Sequence, residues 1–150
     1  MANAHEWFMQ MAMEEARRGA AEGNAAVGSV VVRDENLIAR GRNLVATQSD
    51  PTAHAETVAL RNAGAATGHT DFSGCTLYST FEPCPMCCGA ILASGMSTLV
   101  LGARFSDGSS QWGDYAVEKL LEMTGRRDRL RVVTGVLARQ CLDLRRLEAT

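Results

Sequence analysis

The chain has 150 residues, 46% of them hydrophobic and 21% charged, with a formal net charge of −2. This length reads as one domain, residues 1–150, large enough to bury a substantial core. No apolar run approaches a membrane span, no basic-then-apolar signal opens the chain, and five cysteines suit a reducing compartment, so the expected location is cytoplasmic.

Helical spacing of Trp7, Phe8, Met9, Met11 and Met13 predicts a first helix over 6–18, ended by Gly19. The β-rich run 27–32 and the segment 37–45, joined by Asp34-Glu35-Asn36, read as a hairpin. A helix is expected over 54–62, stopping by Gly64, with Asp50-Pro51-Thr52 as its cap-and-proline start. A short strand over 76–80 leads to Pro83-Cys84, and Pro85 in the first helical position predicts a helix over 85–94. A strand over 99–101, a helix over 116–123, a strand over 130–133 and an amphipathic helix over 138–148 complete an alternating α/β pattern. His5 and His69 read as surface residues, and Cys75, Cys88 and Cys141 as small buried hydrophobes.

Two short motifs carry the chemistry. His54-Ala55-Glu56 is followed thirty residues later by Pro83-Cys84-Pro85-Met86-Cys87. His54, Cys84 and Cys87 are good zinc ligands, and three protein ligands rather than four leave a coordination position for water, which marks a catalytic metal. Zinc lowers the pKa of such a water to about 7, and a carboxylate as near as Glu56 can move its protons. Cys84 and Cys87 share one face of a first helical turn, where the helix N-terminus favours thiolates. Residues two apart on a regular helix point about 200° apart. Glu56 must therefore reach around, or the helix must start near His54.

Asp50-Pro51-Thr52-Ala53-His54-Ala55-Glu56 and Glu82-Pro83-Cys84-Pro85-Met86-Cys87 together resemble the cytidine deaminase superfamily, in the branch that carries Pro-Cys-x-x-Cys. They are similar to bacterial guanine deaminases and to tRNA adenosine deaminases alike. The resemblance implies a three-layer α/β/α fold around a five-stranded mixed sheet, one zinc ion per subunit and a homodimer. It also implies hydrolytic loss of ammonia from a heteroaromatic ring, with Glu56 carrying protons and backbone donors near Ala55 and Cys84 beside the reacting oxygen. Asn43, eleven residues before His54, falls where this branch carries a base-binding asparagine, and its amide offers a ring edge both donor and acceptor.

The substrate divides the readings. Trp112-Gly113-Asp114 lies about as far beyond the second cysteine as an acidic substrate-contacting stretch of guanine deaminases. Asp114 would accept from a guanine-like edge and Trp112 would stack on the ring; otherwise Trp112 covers core and Asp114 caps a helix near Tyr115. Residues 126–150 hold seven arginines against three acids, while residues 1–125 hold eight basic residues against fourteen acids. That acidic body favours a free nucleobase or nucleoside, an aminopurine such as guanine, guanosine or adenosine first, then cytosine or cytidine. The chain also ends without the basic tail of many tRNA enzymes. The alternative is a tRNA-specific adenosine deaminase making inosine in an anticodon loop, suggested by similarity at His5-Glu6-Trp7 and Thr134-Gly135-Val136-Leu137. A non-catalytic zinc-stabilised binding module is the reading from another class; it is opposed by the presence of Glu56 and the lack of a fourth ligand.

Overall fold

β1 (Gly28–Arg33), β2 (Asn36–Arg42), β3 (Thr76–Phe81), β4 (Thr98–Ala103) and β5 (Arg131–Val133) form one sheet in the order β2-β1-β3-β4-β5. The computed structural model describes residues 2–149, leaving Met1 and Thr150 outside the described residues. β1 runs antiparallel to β2 and β3, whereas β3, β4 and β5 are mutually parallel neighbours, so the sheet is mixed.

Successive side chains on a strand face opposite ways, and the sheet is apolar on both sides. Val31, Leu77, Leu99 and Leu101 pack on one side against α3 (Ala55–Thr67), α4 (Pro85–Ala93) and α5 (Val117–Met123). Val30, Val32, Tyr78 and Val100 pack on the other against α1 (Ala2–Ala21) and α6 (Ala138–Arg145). The result is the expected three-layer α/β/α fold. The parallel pair β3 and β4 sends both C-terminal ends to one edge of the sheet, where ligands bind in open α/β sheets.

Local chemistry accounts for the departures from expectation. Asp34 and Glu35 both take positive φ, 50° and 62°, giving a two-residue hairpin turn without the usual glycine. β2 ends at Arg42 because the chain turns into a short helix, α2 (Val45–Gln48), which the sequence pattern did not signal. Asp50 does not start a helix: its Oδ1 accepts from the backbone N–H and the hydroxyl of Thr52, at 2.9 and 2.7 Å, in a local turn. α3 runs past Gly64 to a left-handed Gly68, and α6 stops at Arg145 before a 3₁₀ turn over Arg146–Ala149. Trp7 lies off the buried stripe of α1 and is 60% exposed. His5 is not a surface residue; it is half-buried, with Nδ1 2.8 Å from the Tyr78 hydroxyl.

One glycine sets the distance between β2 and α3. A Cβ on Gly41 would overlap the Ala55 carbonyl oxygen and the Ala59 amide nitrogen, both backbone atoms of α3. Since α3 begins beside the candidate metal site, the sheet presses it into place through a residue with no side chain. Gly41→Ala is expected to destabilise the protein by about 2 kcal/mol, the range for overpacking a filled interior, read as a lower urea midpoint at unchanged slope.

Candidate active site

Two helices begin at the same edge of the sheet. His54 is the N-cap of α3, with extended backbone at φ −70° and ψ 155°. Cys84 is the N-cap of α4, at φ −66° and ψ 171°, with Pro85 entering the first turn as expected. The His54 imidazole thereby lies outside the helical repeat while Glu56 sits in the first turn. The 200° conflict disappears because the helix starts after His54.

His54 Nδ1 lies 3.5 Å from Cys84 Sγ and 3.6 Å from Cys87 Sγ. Zn–S bonds of ~2.3 Å and Zn–N bonds of ~2.0–2.1 Å in tetrahedral geometry set N···S separations of roughly 3.5 Å. The three donor atoms, all within 4.8 Å of one another, therefore fit a zinc ion in both chemistry and spacing. Among the described residues no other such cluster occurs.

The charges of this cluster are interdependent. Hydrogen bonding from Cys87 and from the His54 imidazole pulls the Cys84 thiol down to about 4. Cys87, beside that thiolate and buried, is pushed up, and the hydrogen bond to Cys84 raises His54. One thiolate thus stands ready, and a metal taking both sulfurs must displace the second proton. Glu56 is buried, and desolvation pushes its carboxyl up to about 7, into the range where one group can both accept and return a proton.

A cavity of about 300 Å³ opens over these groups, lined by His54, Glu56 and Cys84 and walled by Asn43, Trp112 and Arg145. Ala55 lines it too. Asn43 is fixed by a hydrogen bond of 3.0 Å from the Val45 backbone N–H to its Oδ1. Asp114 is not brought to the cavity. Its side chain is 96% exposed and pairs with Lys119 at 2.8 Å, and it caps no helix, because α5 starts at Val117 with Ala116 as N-cap.

Sequence reasoning gave no role to Glu82 and counted Arg145 only among the seven arginines of residues 126–150. Glu82 is buried and receives four hydrogen bonds: Oε1 from the Phe105 N–H at 3.1 Å and Arg104 Nε at 3.2 Å, Oε2 from the Val117 N–H at 2.9 Å and an Arg104 terminal nitrogen at 2.9 Å. It thus supplies the cap that Asp114 does not. Its only sequence signal is its place beside Pro83-Cys84. Tyr115 adds a lock, donating its hydroxyl to the Pro83 carbonyl at 2.7 Å.

Residues 2–103 match the family described as the cytidine and deoxycytidylate deaminase zinc-binding region. The chain belongs to this family. Over 143 residues it is 41% identical to a tRNA-specific adenosine deaminase of Haemophilus influenzae, covering 91% of this chain and 78% of that protein. A solved structure from a study of A-to-I editing by tRNA:A34 deaminases superposes with a TM-score of 0.79 at 31% identity, covering 91% of this chain and 97% of that one. A guanine deaminase from Nitrosomonas europaea superposes with a TM-score of 0.80 at 30% identity, covering 97% and 85%. The chain is a hydrolytic C–N deaminase with a zinc cofactor, for which His54, Cys84 and Cys87 form the fitting site.

Removing the charge of Glu82 leaves buried backbone donors poorly matched. Glu82→Gln is expected to cost about 2 kcal/mol in urea unfolding. Glu118, which holds the same arginine from a partly exposed position, is expected to cost less than about 1 kcal/mol on the same change.

Proposed function

We propose that this protein deaminates adenosine to inosine within an RNA loop, the substrate class named for its Haemophilus relative. The reading rests above all on that relative's 41% identity across 91% of the chain. Two features of the structure support it. Asp114, the acid that a guanine-reading site would use, points to solvent and pairs with Lys119. Arg139 and Arg146, on and just after the helix whose Arg145 lines the cavity, are exposed, and cations near the site are what phosphate neutralisation requires; Arg131, in register with Thr98 at the start of β4, lies at the other end of the strands. An acidic total charge does not oppose this, because affinity follows where the cations lie.

His54, Cys84 and Cys87 hold the metal in this proposal. Zinc, once bound, makes hydroxide available at neutral pH. Hydrolysis adds water at the amine-bearing carbon of adenine and releases ammonia, so one group must accept a proton and deliver protons to the ring nitrogen and the departing amine. Glu56 is that group, buried at the start of α3 and balanced near neutrality. With its Oδ1 held by Val45, Asn43 has its amide nitrogen as the donor for a ring acceptor. Trp112, 38% exposed at the cavity wall, offers an indole face to a base turned out of its loop. Backbone donors at Ala55 and Cys84, at the two helix starts, are assigned to the reacting oxygen.

A free aminopurine remains the second reading, because likeness to the Nitrosomonas guanine deaminase extends over 97% of this chain. The proposal also includes a homodimer, for which Met86, 38% exposed on α4, provides apolar surface beside the site. It places the protein in the cytoplasm, in keeping with five free cysteines. No helix among the described residues is long and apolar enough to cross a membrane.

The test presents zinc-loaded protein with an adenosine-containing anticodon stem-loop, adenosine, guanine, guanosine and cytidine. Inosine in the stem-loop, at a kcat/KM at least about a hundredfold above any free base or nucleoside, is the expected result. Turnover of guanine alone would overturn the RNA reading. Glu56→Gln is expected to keep one zinc per chain by elemental analysis while losing at least about a hundredfold in kcat, the low end for general acid–base catalysis.

A further inference from the structure

α6 ends in two consecutive arginines that go separate ways. Arg146 stays in solvent and pairs with Asp143 one turn back, at 3.6 Å. Arg145 turns into the cavity wall, half-buried, with its guanidinium carbon 5.3 Å from the centre of the Phe81 ring. Turned inward, the guanidinium meets the Phe81 ring face and keeps its interaction with the helix end, which is stronger when partly buried. The approach is built into the fold. A Cβ on Gly102 of β4 would sit 2.5 Å from Cys141 Sγ, so the bare backbone of Gly102 lets α6 lie close on the sheet and brings Arg145 to the cavity.

The polar groups around the cavity have unequal tasks. His54 and Cys84 belong to the metal cluster, Glu56 to proton transfer, and the Glu82 carboxylate to Arg104 and two backbone amides. Among the described lining residues Arg145 is the only lysine or arginine. Burial lowers its pKa, and the nearby Glu56 raises it, so the guanidinium sits where water is already thinned. A guanidinium can fork onto O6 and N7 of guanine, but adenine has no such oxygen, so with an adenine substrate its charge and fork match a phosphate on the sugar of the reacting nucleotide. Guanidinium and phosphate oxygens match in charge and fork geometry.

We infer that Arg145 is a specificity residue that binds a phosphate of the substrate nucleotide, holding the base over Glu56 through the sugar it carries. This deepens the RNA reading and rests on it for the source of the phosphate, a diester in a loop. The same chemistry would serve the monoester of a free mononucleotide.

Binding is measured on zinc-loaded Glu56→Gln protein, which holds substrate without turning it over. One pair of probes is adenosine 5′-monophosphate against adenosine. The other is an adenosine stem-loop against the same stem-loop with one neutral methylphosphonate 5′ to the target adenosine. The charged member of at least one pair is expected to bind about tenfold tighter, as a hydrogen-bonded charge contact allows. Adding Arg145→Gln is expected to bring that ratio to about one, and Arg145→Lys to restore part of it. A preference confined to the stem-loop pair identifies the diester, and one confined to the monophosphate identifies a free nucleotide. Equal affinities within both pairs, or ratios that survive Arg145→Gln, overturn the assignment. So does an equal loss for charged and neutral members, which is what a merely structural contact with Phe81 predicts. Failure of the RNA reading is seen separately, as absence of inosine in the stem-loop with the unmutated enzyme.

Discussion

A single buried carboxylate, on Glu82, divides four donors between its two oxygens: two backbone amides and two nitrogens of Arg104. Those donors come from two places, Arg104 and Phe105 in the loop leaving β4 and Val117 at the start of α5. Glu82 itself leaves the end of β3 just before Cys84, and its own N–H reaches back to the Ala103 carbonyl at 2.9 Å. The segment that carries the sulfur ligands is therefore tied to the C-terminal ends of both central parallel strands. A charge in this position is costly to bury alone; with every lone pair matched, it converts a loop into a rigid mount.

The reacting groups depend on that rigidity because they come from two helix starts far apart in sequence. N-cap backbone is extended, and at an N-cap the side chain stands clear of the helix that follows. Using His54 and Cys84 as caps lets both donate to one point while their helices diverge. Neither cap makes a side-chain hydrogen bond to its own helix, so the imidazole and the thiol remain for the cluster. The positive ends of the two helices also face a site that must hold thiolate and, during turnover, the Glu56 carboxylate. Gly41 contributes from the far side by letting α3 lie directly on β2.

Much of this was legible from residue types. The three zinc ligands, the neighbouring acid and Pro85 at a helix start are local signals, and local signals survive folding. The strands were visible for the same reason, since alternating burial leaves runs of β-branched and apolar residues. Apart from Asp50, the errors were made where side-chain partners lie far away in sequence. Asp50 looked like a helix cap but closes a turn with Thr52, two residues on. Asp114 looked like a cap or a ligand, yet Glu82, 35 residues away from Val117, takes the helix start. His5 looked exposed until Tyr78, 73 residues away, supplied its partner. Arg145 was counted only as one of a run of arginines, because nothing in its neighbourhood of sequence announces Phe81.

These two kinds of residue also divide the work. His54, Glu56, Cys84 and Cys87 lie within residues 2–103, the part that matches the family. Four of the fifteen residues lining the cavity lie beyond it, Phe105, Gln111, Trp112 and Arg145. Loss of ammonia from a ring asks the same of any substrate, so its machinery is held by short-range motifs on two helix starts. Recognition of what surrounds the ring is a separate demand, which the proposed function assigns to Asn43, to the loop after β4 and to the end of α6. A chain built this way can keep its reaction while changing its substrate through the loop after β4 and the end of α6. Likeness to a structure from a study of tRNA:A34 deaminases and likeness to a guanine deaminase coexist at TM-scores of 0.79 and 0.80, as expected where one framework carries a reaction shared by different substrates.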